Sequence, residues 1–489
     1  MLPALFNKRI FLLTVIFVLA FSLRFMFISK GAFHIDTLDL AITAQKTLDH
    51  HTLYYEHGTG YPLAVICGAF FIFFFKLFGI ADPVFCVNFM SVLTGAFSIL
   101  LLFFLVEKLF DFDRAVFSAI LLSFFMPHMA ISTFGKSLTL SICMSLASAY
   151  YMVVYTRTYI HRYLIYSAVF LGFCAAARLS DIFVFMPVIF LYFSSGKIDY
   201  AKVKGFIVFM MISSTAALLY YLPMLLDQGL SQFIDVWHSK GGAQFVGIFS
   251  LVFKHNLQLF WHIFSMNGVL IFMAGFIYMA LKKQYRQLLF LLFWFLPLFI
   301  FYAGVSSSGP RYLVIAWIPL LAAQGYFLGS FKKNGRILAR TVLFSIIFVN
   351  FFLCAPTLAF RHKYALQEEF ALWVSSKTPP DAWIIAIDEG MFLKYYGKRR
   401  YFGRPIFGKA SQVDAFLKEL DSFLLNGEKV YIITSGLGSY DGTGLFKKKL
   451  FQDYHLSFIG KKQNEDWHHA LLNLDLFQEG LYKIEKKNE

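Results

Sequence analysis

Apolar runs of about membrane-helix length alternate with short polar loops across the first 359 residues of this 489-residue chain. Windows of roughly 20 apolar residues fall at about 10–29, 62–79, 84–106, 115–131, 138–156, 163–177, 180–195, 205–222, 263–281, 287–303, 312–330 and 338–357, a length suited to a hydrocarbon core of about 30 Å. The loops decide which windows cross. With the N-terminus inside and 62–79 lying along the membrane surface, the inside loops (7–9, 107–114, 157–162, 196–204, 282–286, 332–340) hold 16 Lys and Arg. The longer outside loops (30–61, 132–137, 178–179, 223–262, 304–311) hold 7. Basic residues concentrate in cytoplasmic loops. If 62–79 crossed, every later loop would change sides and the bias would reverse. The pattern therefore predicts an all-α polytopic membrane domain over 1–359 with eleven transmembrane helices and a cytoplasmic N-terminus. The first outward loop, 30–83, carries the surface helix. The run from Ile10 to Ile28 is long enough to span and lacks a small-x-small cleavage pattern, so it reads as a retained anchor.

The pattern changes near residue 360, and the same orientation leaves the tail outside the cytoplasm. Trp383 to Ile387 is a continuous apolar run, read as a buried strand. From Ser411 to Leu425, apolar residues at Val413, Phe416, Leu417, Leu420 and Leu424 have helical spacing, and Asn426-Gly427 closes the segment. Val430 to Thr434 reads as another strand. Alternating strands and helices predict a small α/β domain over 360–489, with Thr378-Pro379-Pro380 at its entrance. The Gly-rich stretch from Gly436 to Gly444 lacks the G-x-G-x-x-G spacing of a nucleotide site and reads as a turn.

Composition supports this division. Hydrophobic residues make up 58% of the chain, charged residues 15%, and mean hydropathy is +0.63. A soluble domain carries about 25% charged residues, so a soluble globular fold is excluded. The net charge of +15 is accounted for by cytoplasmic loops and by attraction to anionic head groups. Membrane lipid is thus an expected partner and nucleic acid is not. Cys67, Cys86, Cys143, Cys174 and Cys354 all lie in apolar runs without a C-x-x-C pair, so neither a disulfide nor a zinc site is expected.

A carboxylate beside a membrane surface is costly and usually has a task. Asp36 follows the first span, and Asp39 shares its face if the segment is helical. His34, Glu56 and His57 lie in the same loop, which read blandly is an ordinary solvated one. Arg178 and Asp181 sit at an outer turn, where they line a pocket or pair with each other. Arg311 at the mouth of a late span either grips an anion or snorkels as a head-group anchor. The outward segment 223–262, with Asp227, Asp235, His238, Lys240, His255 and His262, matches no zinc spacing and reads as a cover or a helix cap. Asp111-Phe112-Asp113 matches the D-x-D metal motif, yet lies on the inner side, where helix capping explains it.

Four stretches occur in a telling order: His34-Ile-Asp36-Thr-Leu-Asp39-Leu-Ala41, Gly58-Thr-Gly60-Tyr61-Pro62-Leu63, Lys76-Leu-Phe78-Gly79, and Gly309-Pro310-Arg311-Tyr312-Leu313 with Pro319 and Leu320 behind. Each motif is short. Together, over nearly the whole chain, they resemble the GT-C superfamily transferases that use polyprenyl-phosphate sugars. These include the protein O-mannosyltransferases and aminoarabinose transferases of glycosyltransferase family 39. The resemblance implies a GT-C fold with its active site and C-terminal domain facing away from the cytoplasm. It implies inverting transfer of a sugar from a polyprenyl-phosphate donor to a hydroxyl of a lipid, glycan or protein acceptor. Asp36 would be the general base, with Arg311, Arg178 and Lys136 on the donor phosphate. Asp39, Glu56, His57 and Tyr312 would shape the acceptor site or support it. The chain departs from the family at Thr133-Phe-Gly135-Lys136-Ser137, where a Lys stands near the place of a second acidic residue. That implies chemistry with no metal and no cofactor, or a chain kept as an inactive scaffold. A transporter or flippase for lipid-linked glycans is the reading from another class, and it calls for charged or broken helices at mid-membrane.

Overall fold

The computed structural model describes residues 2–487 except 56–59, 238–245, 306–308, 333–334, 388, 403–404, 438–439, 442–443 and 463–478. Two units result: Met1–Ile28 with Asp39–Ala355, and Ser29–Leu38 with Pro356–Glu489.

The first unit is helical. Seven stretches among the described residues are long and apolar enough to cross a membrane: Arg9–Met26, Pro83–Leu109, Ser137–Thr158, Tyr200–Asp227, Tyr285–Ala303, Arg311–Gly329 and Arg336–Lys377, the last holding the helix Arg336–Lys363. Of the other predicted windows, 263–281 lies on the long helix Leu251–Leu281, and the rest fall on shorter or broken helices. Window 115–131 is two helices, Phe112–Phe124 and Met126–Ile131, parted at Phe125, with Pro127 opening the second. Pro tolerates a first helical turn because it has no N–H to lose there. Window 163–177 lies on His161–Ala177, and 180–195 opens as a 3-10 turn, Leu179–Val184, before the helix Phe185–Phe193. Window 62–79 is the helix Pro62–Lys76, 15 residues. At 1.5 Å per residue it is about 22 Å long, short of the roughly 30 Å core.

Helices approach closely where side chains are small. A Cβ at Gly325 would stand 2.7 Å from the Ser118 backbone nitrogen, and one at Gly329 would stand 2.8 Å from the Arg114 Cα. Small residues one turn apart let membrane helices meet backbone to backbone. Arg114 then lies over the Tyr326 ring at 4.3 Å.

Arg24, in the first helix, is fully buried. Its Nη1 donates to the carbonyls of Ala20 (3.0 Å) and Ser123 (3.3 Å), and its Nη2 to that of Leu122 (3.5 Å). Nη2 also lies 2.8 Å from His128 Nδ1. A guanidinium can only donate, so Nδ1 accepts. The imidazole proton then sits on Nε2, 3.0 Å from Ser98 Oγ. Leu122 and Ser123 belong to the last turn of Phe112–Phe124, where carbonyls lose their i+4 donors, and the Phe125 N–H reaches the Leu122 carbonyl only at a long 3.4 Å. Arg24 caps the helix where it breaks, and a cation suits that end of the helix dipole.

The second unit contains the sheet. Its strands are β1 (Trp383–Ile385), β2 (Arg400–Tyr401), β3 (Ile406–Phe407), β4 (Val430–Ile433), β5 (Tyr440–Asp441), β6 (Tyr454–Lys462) and β7 (Glu479–Lys486). Five form a sheet in the order β2-β1-β4-β7-β6. The two strands read from the sequence, β1 and β4, pair in parallel. Parallel neighbours need a crossover, and the connection between them includes the helix Ala410–Leu425, which buries Val413, Leu417 and Leu420. β7 pairs antiparallel with both β4 and β6. The Gly-rich stretch is not simply a turn: β5 within it pairs in parallel with β3, while 438–439 and 442–443 lie outside the described residues. The Tyr454 hydroxyl donates to Asp421 Oδ1 at 2.8 Å, and burial followed by that bond pushes its pKa well up.

Ser29–Leu38 joins this second unit through contacts with residues after 356. The Lys30 N–H donates to the Arg361 carbonyl at 3.1 Å. The Arg361 guanidinium stands 3.7 Å from the Phe33 ring centroid. A Cβ on Gly31 would meet Ala365 Cβ at 3.0 Å, so a larger residue there would force the two segments apart.

Gly325→Val is expected to destabilise the helical unit by about 1–3 kcal/mol, the range for overpacking. Thermal unfolding of detergent-purified protein checks this. Gly309→Ala is the control, since nothing lies within 4 Å of its added Cβ, and its midpoint should match the parent's.

Candidate functional site

Several polar side chains of the helical unit converge where helices begin and end. Arg178 follows the helix His161–Ala177 in extended conformation, and the next residues form the 3-10 turn that carries Asp181. The turn closes with Asp181 N–H donating to the Arg178 carbonyl at 3.0 Å. Tyr302 ends the helix Tyr285–Ala303, while Arg311 and Tyr312 open Pro310–Gly329. Lys136 precedes Ser137–Thr158, and its backbone N–H donates to Ser91 Oγ at 3.1 Å. Tyr61 precedes Pro62–Lys76 at φ 56°, ψ 47°. That left-handed conformation is unfavourable for a bulky residue, and a following Pro ordinarily pushes its neighbour to extended backbone.

Tyr312 is the hub. Its ring centroid lies 4.5 Å from the Arg178 guanidinium, 4.9 Å from that of Arg311, and 5.2 Å from Lys136 Nζ. Its hydroxyl accepts from Arg311 Nη2 at 3.2 Å and from Lys136 Nζ at 3.5 Å. Arg178 also stands 5.7 Å from the Tyr302 ring and 5.8 Å from that of Tyr61. Aromatic faces attract cations, and more strongly when water is excluded.

Asp181 anchors this cage from behind. It is 1% exposed, Arg178 is 6% and Lys136 is 3%. Ser141 Oγ donates to Asp181 Oδ2 at 2.5 Å, and the Tyr302 hydroxyl donates to Oδ1. Arg178 Nε lies 3.2 Å from the Tyr302 oxygen and 3.7 Å from Asp181 Oδ1. The guanidinium edge bearing Nε is therefore occupied. Arg178 Nη1 and Arg311 Nε are buried with no hydrogen-bond partner among the described residues. Buried donors without acceptors are costly. Two of them on guanidinium groups suit an incoming anion such as a phosphate, which Arg grips in bidentate fashion.

Four residues selected from the sequence thus meet: Lys136, Arg178, Arg311 and Tyr312. Arg178 and Asp181 form the i,i+3 pair weighed from the sequence, and they also line the cluster. Asp36 and Asp39 share the helix Ile35–His50, with Asp36 in its first turn, where the helix dipole favours an anion. The Asp36 N–H donates to His34 Nδ1 at 3.1 Å, and Asp36 Oδ2 lies 3.4 Å from the same nitrogen. Asp36 belongs to the second unit, whereas Asp39 and the four cluster residues belong to the first. Glu56, His57, His238 and Lys240 lie outside the described residues. Asp111 caps Phe112–Phe124 by accepting from the Arg114 N–H at 3.0 Å, and Asp113 pairs with Arg336 at 2.6 Å. Among the described residues, no group of three or more His, Cys, Asp or Glu is placed to hold a metal ion. Tyr61, Tyr302 and Ser141 were not singled out from the sequence. Tyr61 sat inside a quoted motif, but Tyr302 and Ser141 carry no local signal.

Asp181→Ala is expected to cost about 3–5 kcal/mol, because it leaves Arg178 buried without its carboxylate. Tyr302→Phe should cost less, about 1–3 kcal/mol, for the lost bond to Asp181. Chemical unfolding of the purified variants measures both. An unchanged midpoint for Asp181→Ala would mean the carboxylate does not support the cation.

Comparison with known proteins bears on this arrangement. Residues 62–226 match the sequence model of a family described as dolichyl-phosphate-mannose-protein mannosyltransferase. No curated protein matches the chain. Among solved structures, ArnT from Cupriavidus metallidurans bound to undecaprenyl phosphate is similar at a TM-score of 0.61 and 12% identity, over 96% of this chain and 97% of that one. The same protein in its apo state gives 0.62 and 12%, over 98% of each chain. The oligosaccharyltransferase of Archaeoglobus fulgidus in complex with Zn and sulfate gives 0.58 and 13%, over 91% of this chain and 71% of that one. At such identities these likenesses show the fold.

Proposed function

We propose that this chain is an integral membrane glycosyltransferase of the GT-C superfamily, using a polyprenyl-phosphate sugar as donor. The acceptor is a hydroxyl of a lipid, glycan or protein. The observation that carries this reading is the convergence of Lys136, Arg178 and Arg311 on Tyr312, with buried guanidinium nitrogens left for an anion. The polyprenyl phosphate in one structural relative and the dolichol-phosphate in another, an archaeal oligosaccharyltransferase, support an anion of that class.

In this reading the acceptor oxygen attacks the anomeric carbon, and a new C–O bond forms as the bond from that carbon to the phosphate oxygen breaks. The acceptor proton passes to the Asp36 carboxylate, and the configuration inverts. The bonding electrons stay on the phosphate, which gains negative charge as it leaves. Arg178 and Arg311 meet that charge in a site already ordered for it, and Lys136 adds a third cation. Phosphate is a good leaving group, so no acid need protonate it. Cations at the phosphate do the work that a metal does in other transferases, so the reaction is read as metal-independent. Asp39 and Tyr312 position groups around these, and Tyr61 holds one face of Arg178. The active site and the C-terminal unit face away from the cytoplasm, a placement that rests on the loop charges.

The test is transfer of radiolabelled sugar from polyprenyl phosphate to membrane acceptors, with and without a chelator. Asp36→Asn should lower the rate about 10²–10⁴-fold, the range for a lost general base. Arg178→Gln and Arg311→Gln should each lower it about 10²–10³-fold, as for a lost charge-stabilising donor. The chelator should change nothing. Equal labelling by wild type and Asp36→Asn would remove Asp36 as base, and no labelling by any form would favour transport or a scaffold.

A further inference from the structure

Away from the tyrosine cluster, a cavity of about 260 Å³ opens between the first helix and the helices Phe112–Phe124 and Arg336–Lys363. Its walls are apolar, with Leu12, Val116, Phe117, Ile120, Phe331 and Leu343 lining it. Its mouth is charged. Arg336 and Arg340 stand one turn apart on a helix and share a face. Arg336 Nη2 donates to Asp113 Oδ2 at 2.6 Å. Arg340 also lines the cavity, is exposed, and has no ion pair among the described residues. Two guanidinium groups therefore face one carboxylate.

The cavity lies at helix ends. Pro310–Gly329 finishes there, and Phe112–Phe124 and Arg336–Lys363 begin there. Apolar walls with cations at one rim, at the boundary of the apolar stretches, fit a molecule with a hydrocarbon tail and an anionic head. A zwitterionic head would bring its own cation against Arg336 and Arg340, whereas an anionic head does not. The gap arises from packing. Gly325 and Gly329 draw Pro310–Gly329 tightly onto Phe112–Phe124, while the following helix restarts only at Arg336.

We propose that this cavity binds one anionic glycerophospholipid, with an acyl chain along Leu12, Val116, Phe117 and Leu343 and the headgroup phosphate on Arg340. The full chain, purified in detergent, is titrated with phosphatidylglycerol and separately with phosphatidylcholine of the same acyl chains. Bound lipid is counted by native mass spectrometry. Wild type should bind phosphatidylglycerol about fivefold more tightly, as one basic side chain near an anionic head provides. Arg340→Gln should erase that preference, weakening phosphatidylglycerol binding more than phosphatidylcholine binding. Val116→Trp, which fills the cavity, should displace the tightly held lipid. Arg340 is exposed, so Arg340→Gln tests the site even if Val116→Trp fails to fold. Equal binding of the two lipids by wild type, or a preference that survives Arg340→Gln, overturns the proposal.

Discussion

A guanidinium buried in a helical bundle must be neutralised or hydrogen-bonded on the spot, because removing it from water costs several kcal/mol. The helical unit meets this constraint twice, in different ways. Arg24 is met by neutral acceptors: carbonyls at the end of a broken helix and an imidazole nitrogen. Arg178 is met by aromatic faces, a phenol and one carboxylate, and its Nη1 keeps no protein partner among the described residues. The first arrangement stabilises a helix end. The second leaves part of the cation's demand open, which is what a site for an anion requires.

The two arrangements are linked through the chain. Arg24 holds the break at Phe125 by capping Phe112–Phe124. After that break the chain runs through the helix Met126–Ile131 and reaches Lys136, whose backbone is fixed to Ser91 while the Gly135 N–H donates to Asn88 Oδ1 at 2.6 Å. Gly135 is needed there, since a Cβ would come within 3.0 Å of the Val87 backbone. The Lys136 ammonium thus arrives at Tyr312 because the helix is interrupted at Phe125, earlier in the same stretch of chain. Tyr61 adds local strain, of about 1–2 kcal/mol for a left-handed non-glycine residue, in presenting its ring to Arg178.

Much of this was legible in the sequence because it depends on local period and composition. The apolar windows, β1, β4 and the helix Ala410–Leu425 all announce themselves through spacing. Arg178 and Arg311 could be selected because each sits at a helix end that hydropathy locates, whereas Lys136 and Tyr312 stood out through the family resemblance. What escaped depends on contacts distant in the chain. Tyr302 reads as one more aromatic residue in an apolar run until the turn at Asp181 meets it. The break at Phe125 had a signal, Pro127 inside an apolar window, that hydropathy alone passes over. The pairing of β3 with β5 joins segments of two residues each, too short for any period to register.

The segment Ser29–Leu38 follows the first membrane helix, yet its described neighbours include Arg361, Tyr364, Ala365 and Gln367. The helix Ile35–His50 starts in one unit and continues in the other. The C-terminal unit is therefore not a detachable appendage: the ten residues Ser29–Leu38, Asp36 among them, and the region past residue 356 constitute one folding neighbourhood. A lineage that lost or exchanged its tail would have to rebuild the setting of that carboxylate as well. Modularity in this protein is drawn by contacts and not by the order of the chain.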